Sequence, residues 1–180
     1  MKKYLILVLI VLLIGALSVG VLAGKTGQAG KSDIAHLYLY EKIPDEPADP
    51  TVPWVVVEDG AWGKMKYNMS GSEFDFVFNG HGLEAGFDYT LIYYPDPWPG
   101  DGLICLGSGI VNENGDVHIA GSCNTGTNLP AVGDTTPLVG AKIWLVLSAD
   151  VDCDNQLMIG WNPTEYLFEG DVITFDDTDV

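Results

Sequence analysis

The chain predicts an all-β fold, an immunoglobulin-like antiparallel β-sandwich of about eight strands behind an N-terminal signal or anchor segment. Three observations carry this reading. From residue 34 onward, apolar and polar residues alternate with period 2 in short runs. Clusters of Gly, Pro and Asn separate the runs, with 22 Gly and 10 Pro in 180 residues. No stretch of a dozen residues carries the apolar stripe of a helix.

The first 23 residues have the layout of a secretory signal. Lys2 and Lys3 precede an uncharged aliphatic stretch that ends in the small residues Val21-Leu22-Ala23. Cleavage after Ala23 is the preferred reading. An uncleaved anchor is the alternative, since about 20 apolar residues span a bilayer. Both readings export the remainder, because the basic end stays on the cytoplasmic side. Residues 24–33 are small and polar and read as a flexible tether, and residues 34–180 form the domain.

Within the domain the first strand is expected over residues 36–40. Pro44, Pro47, Pro50 and Pro53 then recur every third residue among acids, which suits an extended polyproline-like crossover or a solvated loop. In residues 64–70, Met65, Tyr67 and Met69 share one face against Lys64, Lys66 and Asn68. Phe74, Phe76 and Phe78 share a face in the next run and are the safest core assignment. Further strands are expected over residues 89–94, 103–111, 116–122 and 143–148, a helical turn at Asn162-Pro163, and a last strand at 171–175 before a frayed acidic tail.

Charge narrows the function. All eight basic residues are Lys, against 25 Asp and Glu, for a net charge of −17. Removing residues 1–23 takes away two lysines and no acid, which leaves −19. Such a surface repels phosphate backbones and has no Arg to read them, so nucleic acid is excluded as a partner. A membrane is met only through an uncleaved N-terminal segment.

Cys105, Cys123 and Cys153 make an odd count, which in an oxidising compartment means one bridge and one left-over thiol. Two pairings stay open. If the turn at 112–116 has Glu113 to Gly115 as its loop, Cys105 lies opposite Cys123; a shift of one residue puts them on opposite faces. Cys105 with Cys153 is preferred, because a bridge between distant segments constrains the unfolded chain more.

Gly82-Leu83-Glu84-Ala85-Gly86-Phe87-Asp88-Tyr89-Thr90 resembles the tyrosine corner of fibronectin type III and other immunoglobulin-like sandwiches. The resemblance implies that the Tyr89 hydroxyl bonds back to upstream backbone. Ala85 stands where those corners usually carry Pro. Over a longer span, YTLIYYPDPWPG, GLICLGSG, GDVHIAGS, AKIWLVLS and WNPTEYLF are similar to uncharacterised short exported β-sandwich proteins of archaea and environmental sequences. That similarity implies a secreted or cell-surface module and brings no catalytic residues.

The candidate ligand-binding residues are Tyr93, Tyr94, Asp96 and Trp98, since Pro95, Pro97 and Pro99 stiffen a loop that holds aromatics beside an acid. A partly buried Trp98 with an exposed Tyr93 or Tyr94 beside it is expected. Asp150, Asp152 and Asp154 alternate as in hard-cation loops, but Asn155 and Trp161 replace the Gly and Glu of an EF-hand. A solvated acidic turn is preferred there over an irregular Ca²⁺ site, and no other cofactor is expected. His36, His81 and His118 lack metal-ligand spacing. No catalytic residue is assigned. The expectation is a non-catalytic, exported interaction or structural module that meets an extracellular protein or glycan. A carbohydrate-binding module centred on Trp98 is the alternative, and a glycosidase-like enzyme comes third.

Overall fold

A computed structural model describes residues 33–44, 54–136 and 139–180. The signal or anchor, the tether and the proline-spaced segment lie outside the described residues, except for Asp33 and Pro44 at their boundaries. No helix among the described residues is long and apolar enough to cross a membrane.

The fold is antiparallel β almost throughout. One sheet runs through β7 (Ile104–Ile110), β6 (Asp88–Tyr94), β9 (Lys142–Leu147), β12 (Leu167–Glu169), β1 (Ile34–Pro44), β3 (Trp62–Asn68), β5 (Phe74–His81) and β8 (Val117–Cys123), in that order. β2 (Trp54–Val56) adds to the end of β1. The expected sandwich of two sheets is therefore not what the strands build. Their path is continuous, and its two ends, β7 and β8, are consecutive in the chain and lie side by side, so the sheet is nearly closed into a barrel. Small residues make that approach possible. A Cβ on Gly109 would already sit 3.1 Å from Ile119 and Val117 of β8.

The corner segment completes the closure. β5 and β6 are far apart in the sheet, and the chain between them passes under the β7–β8 turn. Leu83 N–H donates to Gly115 O at 3.0 Å, Gly86 N–H to Val111 O at 3.0 Å, and Val111 N–H to Phe87 O at 2.9 Å. Gly82 and Gly86 bend the segment at φ of +76° and +84°, a region open to Gly at no steric cost. Tyr89 follows, 1% exposed, and packs into the barrel core. The segment that resembles a tyrosine corner here straps a barrel seam through its backbone bonds.

Inside the barrel, alternation works as expected. Phe74, Phe76 and Phe78 point inward together with Met65, Tyr67, Leu37 and Leu39. Gly63 faces inward under the Phe78 ring, where a Cβ would lie 2.2 Å from Phe78 Cζ. Gly63→Ala must push a fully buried ring aside, so it should cost about 1 to 3 kcal/mol in urea unfolding.

β6 and β9 are buried on both faces, which is why their sequences are near-continuous apolar runs. Tyr89, Leu91 and Tyr93 face the barrel, whereas Ile92 and Tyr94, with Trp144 and Val146 of β9, face outward into a second core. A flap covers that outer wall. It consists of residues 95–103 and of the segment after β9, which holds a 3₁₀ turn at Ser148–Asp150, β10 (Val151–Asp152), β11 (Leu157–Met158) and a 3₁₀ turn at Pro163–Glu165. The two parts are stitched by Gly102 N–H to Gln156 O at 3.1 Å and Met158 N–H to Pro99 O at 2.9 Å.

The cysteine pairing follows from one irregularity. The 112–116 turn has the register that would set Cys105 opposite Cys123: Asn112 N–H bonds Asp116 O, and Gly115 N–H bonds Asn112 O. β7 then bulges, with Leu91 opposite Gly107 but Ile92 opposite Cys105. The extra residue turns Cys105 to the outer face, while Cys123, opposite Phe74, packs against the barrel interior. Cys105 is bonded to Cys153 of the flap, and Cys123 is free.

Two expectations at the C-terminus are corrected. Residues 171–175 form only isolated bridges, Ile173 to Ala141 and Phe175 to Leu129, while the strand that completes the sheet is β12, just upstream. The acidic tail is not frayed. β13 (Asp176–Asp177) pairs in parallel with β4 (Ser70–Gly71), and the buried Asp177 accepts from Thr125 Oγ1 at 3.0 Å.

Candidate functional site

The outer core opens at one end into an aromatic cavity of about 450 Å³, lined by Tyr94, Asp96, Trp98, Trp144 and Trp161. Its floor is built by strand register. Tyr94 ends β6 opposite Lys142, and Trp144 follows two residues along β9 on the same face. The Tyr94 and Trp144 rings stack with centroids 3.9 Å apart and planes 11° apart. Trp144 is 8% exposed, and its indole N–H donates to the Glu169 carboxylate.

The walls come from the flap. Trp98, 52% exposed, meets Trp161, 44% exposed, edge to face at 5.5 Å. Trp161 also approaches Trp144 at 6.2 Å and Trp54 of β2 at 6.0 Å. Asp96 stands at the rim in an ion pair with Lys142, whose Nζ lies 5.7 Å from the centroids of both Tyr94 and Trp144. The site thus offers apolar ring faces within a concave space, with one carboxylate and one ammonium at its edge.

Each wall is held from behind. The Asp96 backbone N–H donates to Asp134 Oδ1 at 3.1 Å, and Tyr93 Oη donates to Asp134 Oδ2 at 2.7 Å. Burial pushes the Asp134 carboxyl up, but hydrogen bonds from the Thr136 hydroxyl, Tyr93 and the Thr136 and Asp96 amides outweigh it and hold Asp134 below the usual carboxylate range. Trp161 is positioned by Asp150, a buried acid that accepts from Tyr166 Oη at 2.6 Å and Asn162 Nδ2 at 2.8 Å. The Asp150 carbonyl accepts from Ile159 and Gly160 N–H at 2.9 and 3.1 Å. Asn162 therefore spends its side chain on Asp150 rather than on capping the 3₁₀ turn that follows it. Tyr94 stays protonated well into alkaline solution, because burial, then the charges of Asp96 and Asp134, push its hydroxyl up to about 12. Burial likewise raises the Glu169 carboxyl, against the opposing pull of Lys42, its own backbone amide and the Trp144 indole.

Of the four residues expected to bind ligand, three line the cavity. Tyr94 contributes a buried ring to the floor instead of an exposed one, Asp96 the rim, and Trp98 the most open wall. Tyr93 does not reach it. Its side chain points into the barrel, where its hydroxyl also accepts from Ala131 N–H at 3.0 Å. Trp144, Trp161 and Lys142 were not singled out from the sequence. Trp144 left a readable sign, as a large aromatic midway through an uncharged strand directly after Lys142.

Of the three aspartates considered for Ca²⁺, Asp150 parts from Asp152 and Asp154, which share one turn. Asp150 is consumed by Tyr166 and Asn162. Asp152 closes a local turn, accepting from Asn155 Nδ2 at 2.7 Å and from the Asn155 and Asp154 amides, and these bonds hold its carboxyl below its ordinary range. Among the described residues, no group of three or more His, Cys, Asp or Glu side chains is arranged to hold a metal ion. His81 Nδ1 lies 2.7 Å from Asp116 Oδ1 and His118 Nδ1 lies 2.8 Å from Asn79 Oδ1, contacts that fix the rings on the sheet surface. Comparison with protein-family models, curated proteins and solved structures finds no match to this chain.

Proposed function

We propose that the chain is an exported, non-catalytic binding module whose aromatic cavity holds a sugar ring. The observation that carries this reading is the combination in one concave site of a stacked Tyr94–Trp144 floor, two half-exposed indole walls, and the Asp96–Lys142 pair at the rim. Ring faces suit the C–H faces of a pyranose, and the charged pair suits its hydroxyl edge. The volume falls within the range of about 300 to 1,000 Å³ usual for small-molecule sites. A flat contact with a protein would gain little from a hollow of this shape. The lone carboxylate at the rim is neutralised by Lys142, which favours recognition over acid–base chemistry. Export rests on the apolar N-terminal stretch and on a bridged cysteine pair, which suits an oxidising compartment.

The test is a glycan array followed by tryptophan-fluorescence titration with neutral oligosaccharides that score on it. Trp98→Ala should weaken binding by about 2 kcal/mol while moving stability by less than about 0.5 kcal/mol, as for an exposed position. Trp161→Ala should weaken binding at least as much. Undiminished binding by both variants would remove the cavity from the argument.

A further inference from the structure

The barrel wall opposite the flap is bare. Along β1, β3, β5 and β8 every second residue points outward, and the ladders set these residues in rows. One row is Tyr40, Trp62 and His81; the next is Tyr38, Lys64, Asn79 and His118; the next is His36, Lys66, Val77 and Ala120. All three histidines of the chain and two of the four lysines among the described residues therefore share one face. The other two lysines are engaged at a distance, Lys142 with Asp96 and Lys42 with Glu169 O at 2.6 Å.

The aromatics on this face form a continuous patch. Tyr38 lies 6.3 Å from Tyr40 at an interplanar angle of 13° and 6.5 Å from Trp62 at 30°, and Trp62 lies 4.8 Å from His81. Lys64 Nζ sits 5.3 Å from the Tyr38 centroid. Tyr38 and Trp62 are exposed, so these rings are not there to fill a core. Acids are kept to the margins. Asp116 is paired with His81, and Glu73 and Asp75 share the Ser122 hydroxyl at the far end of β5 and β8. On a chain with 25 acids and eight lysines, an open face of this composition is the place where a negative partner escapes the general repulsion.

We propose that the outer face of β1, β3, β5 and β8 is a second binding surface, one that takes an anionic polysaccharide. Near-parallel rings supply stacking surface for successive sugar units, and Lys64 and Lys66, with the ring nitrogens of His36 and His118, meet their carboxylate or sulfate groups. The surface is separate from the aromatic cavity and stands whether or not that cavity binds sugar.

The experiment measures binding of the full-length chain to immobilised polygalacturonate, to dextran sulfate and to neutral dextran over a series of NaCl concentrations. Retention on one or both anionic polymers, absent on dextran and weakening as salt rises, is the expected result; the two anionic arms separate carboxylate from sulfate recognition. Lys64→Gln/Lys66→Gln should lower the affinity by about tenfold or more, and Trp62→Ala should lower it without changing the salt dependence. Trp98→Ala, on the far wall, should leave it unchanged. Lys66 is exposed and Lys64 half-buried with its ammonium over the Tyr38 ring, so the melting curve of the double variant is recorded alongside and an unchanged curve certifies it as folded. The proposal is overturned if the chain ignores both anionic polymers, if the double variant retains full affinity, or if the face proves to be occupied by a second copy, seen as a dimer in sedimentation that the double variant dissolves.

Discussion

Above pH 10 the domain is expected to unfold over a narrow pH interval, with its buried tyrosines ionising together rather than one by one. Burial is the first cause in each case. It pushes the hydroxyls of Tyr89 and Tyr94 up to about 12 from the ordinary 10.0, and those of Tyr93 and Tyr166 further still. Neighbouring carboxylates add to it: Asp134 accepts from Tyr93, and Asp150 accepts from Tyr166. A folded-state pKa above the unfolded one means that the unfolded chain loses its proton first. The stability these groups provide is complete below pH 10 and is lost as pH rises towards their folded values. At about 1.4 kcal/mol per pH unit for each group, four tyrosines remove up to about 5.6 kcal/mol per unit, so a domain of ordinary stability fails before about pH 12. Tyrosinate absorbance and near-ultraviolet circular dichroism, followed together, should change in one cooperative step. Ionisation of these four rings near pH 10 with the dichroism intact would contradict the burial on which the argument rests.

Replacing both bridged cysteines, Cys105→Ser/Cys153→Ser, should cost about 4 kcal/mol, the loop-closure value for a sequence separation of 48. The loss should be felt first in the flap. Cys153 lies between β10 and β11, in the segment that carries Trp161 over the outer core, and the bridge is the covalent link between that segment and β7. Guanidinium unfolding with and without reductant gives the magnitude, and sugar titration shows whether the indole wall survives. Cys123→Ser, which leaves the bridge intact, should not reproduce the effect on binding. If the double variant keeps both stability and binding, the hydrogen bonds around Asp150 and Gln156 alone hold the flap.

What could be read from the sequence was local. Phe74, Phe76 and Phe78 declared their strand because one of its faces meets solvent and the other the core, which is the condition that produces alternation. β12 escaped notice because it is three residues long, and β2 because it extends only the end of β1. The choice between sandwich and barrel depends on which strands are neighbours, and that depends on long-range contacts such as the strap from Gly82 to Asp88 under the β7–β8 turn. The nine residues that resemble a tyrosine corner would serve either architecture. The site was half legible for a similar reason. Tyr93 and Tyr94 are chemically alike and adjacent, and only the direction of one strand residue decides that the first belongs to the barrel and the second to the cavity floor. The Cys105 orientation hung on a single extra residue in β7.

The position of the cavity on the outside of the barrel has a consequence for how such a protein changes over time. Its walls, Trp98 and Trp161, sit on segments that contribute little to the packed interior, while the rings that fill that interior belong to strands. Substitutions that reshape the recognition surface and substitutions that keep the scaffold intact therefore fall on different residues. Selection can tune ligand preference at the exposed Trp98 and Trp161 without spending the stability margin of the barrel, so related chains should diverge faster at those two positions than at Cys153, Leu103 and Met158, which anchor the flap, or along β5 and β6.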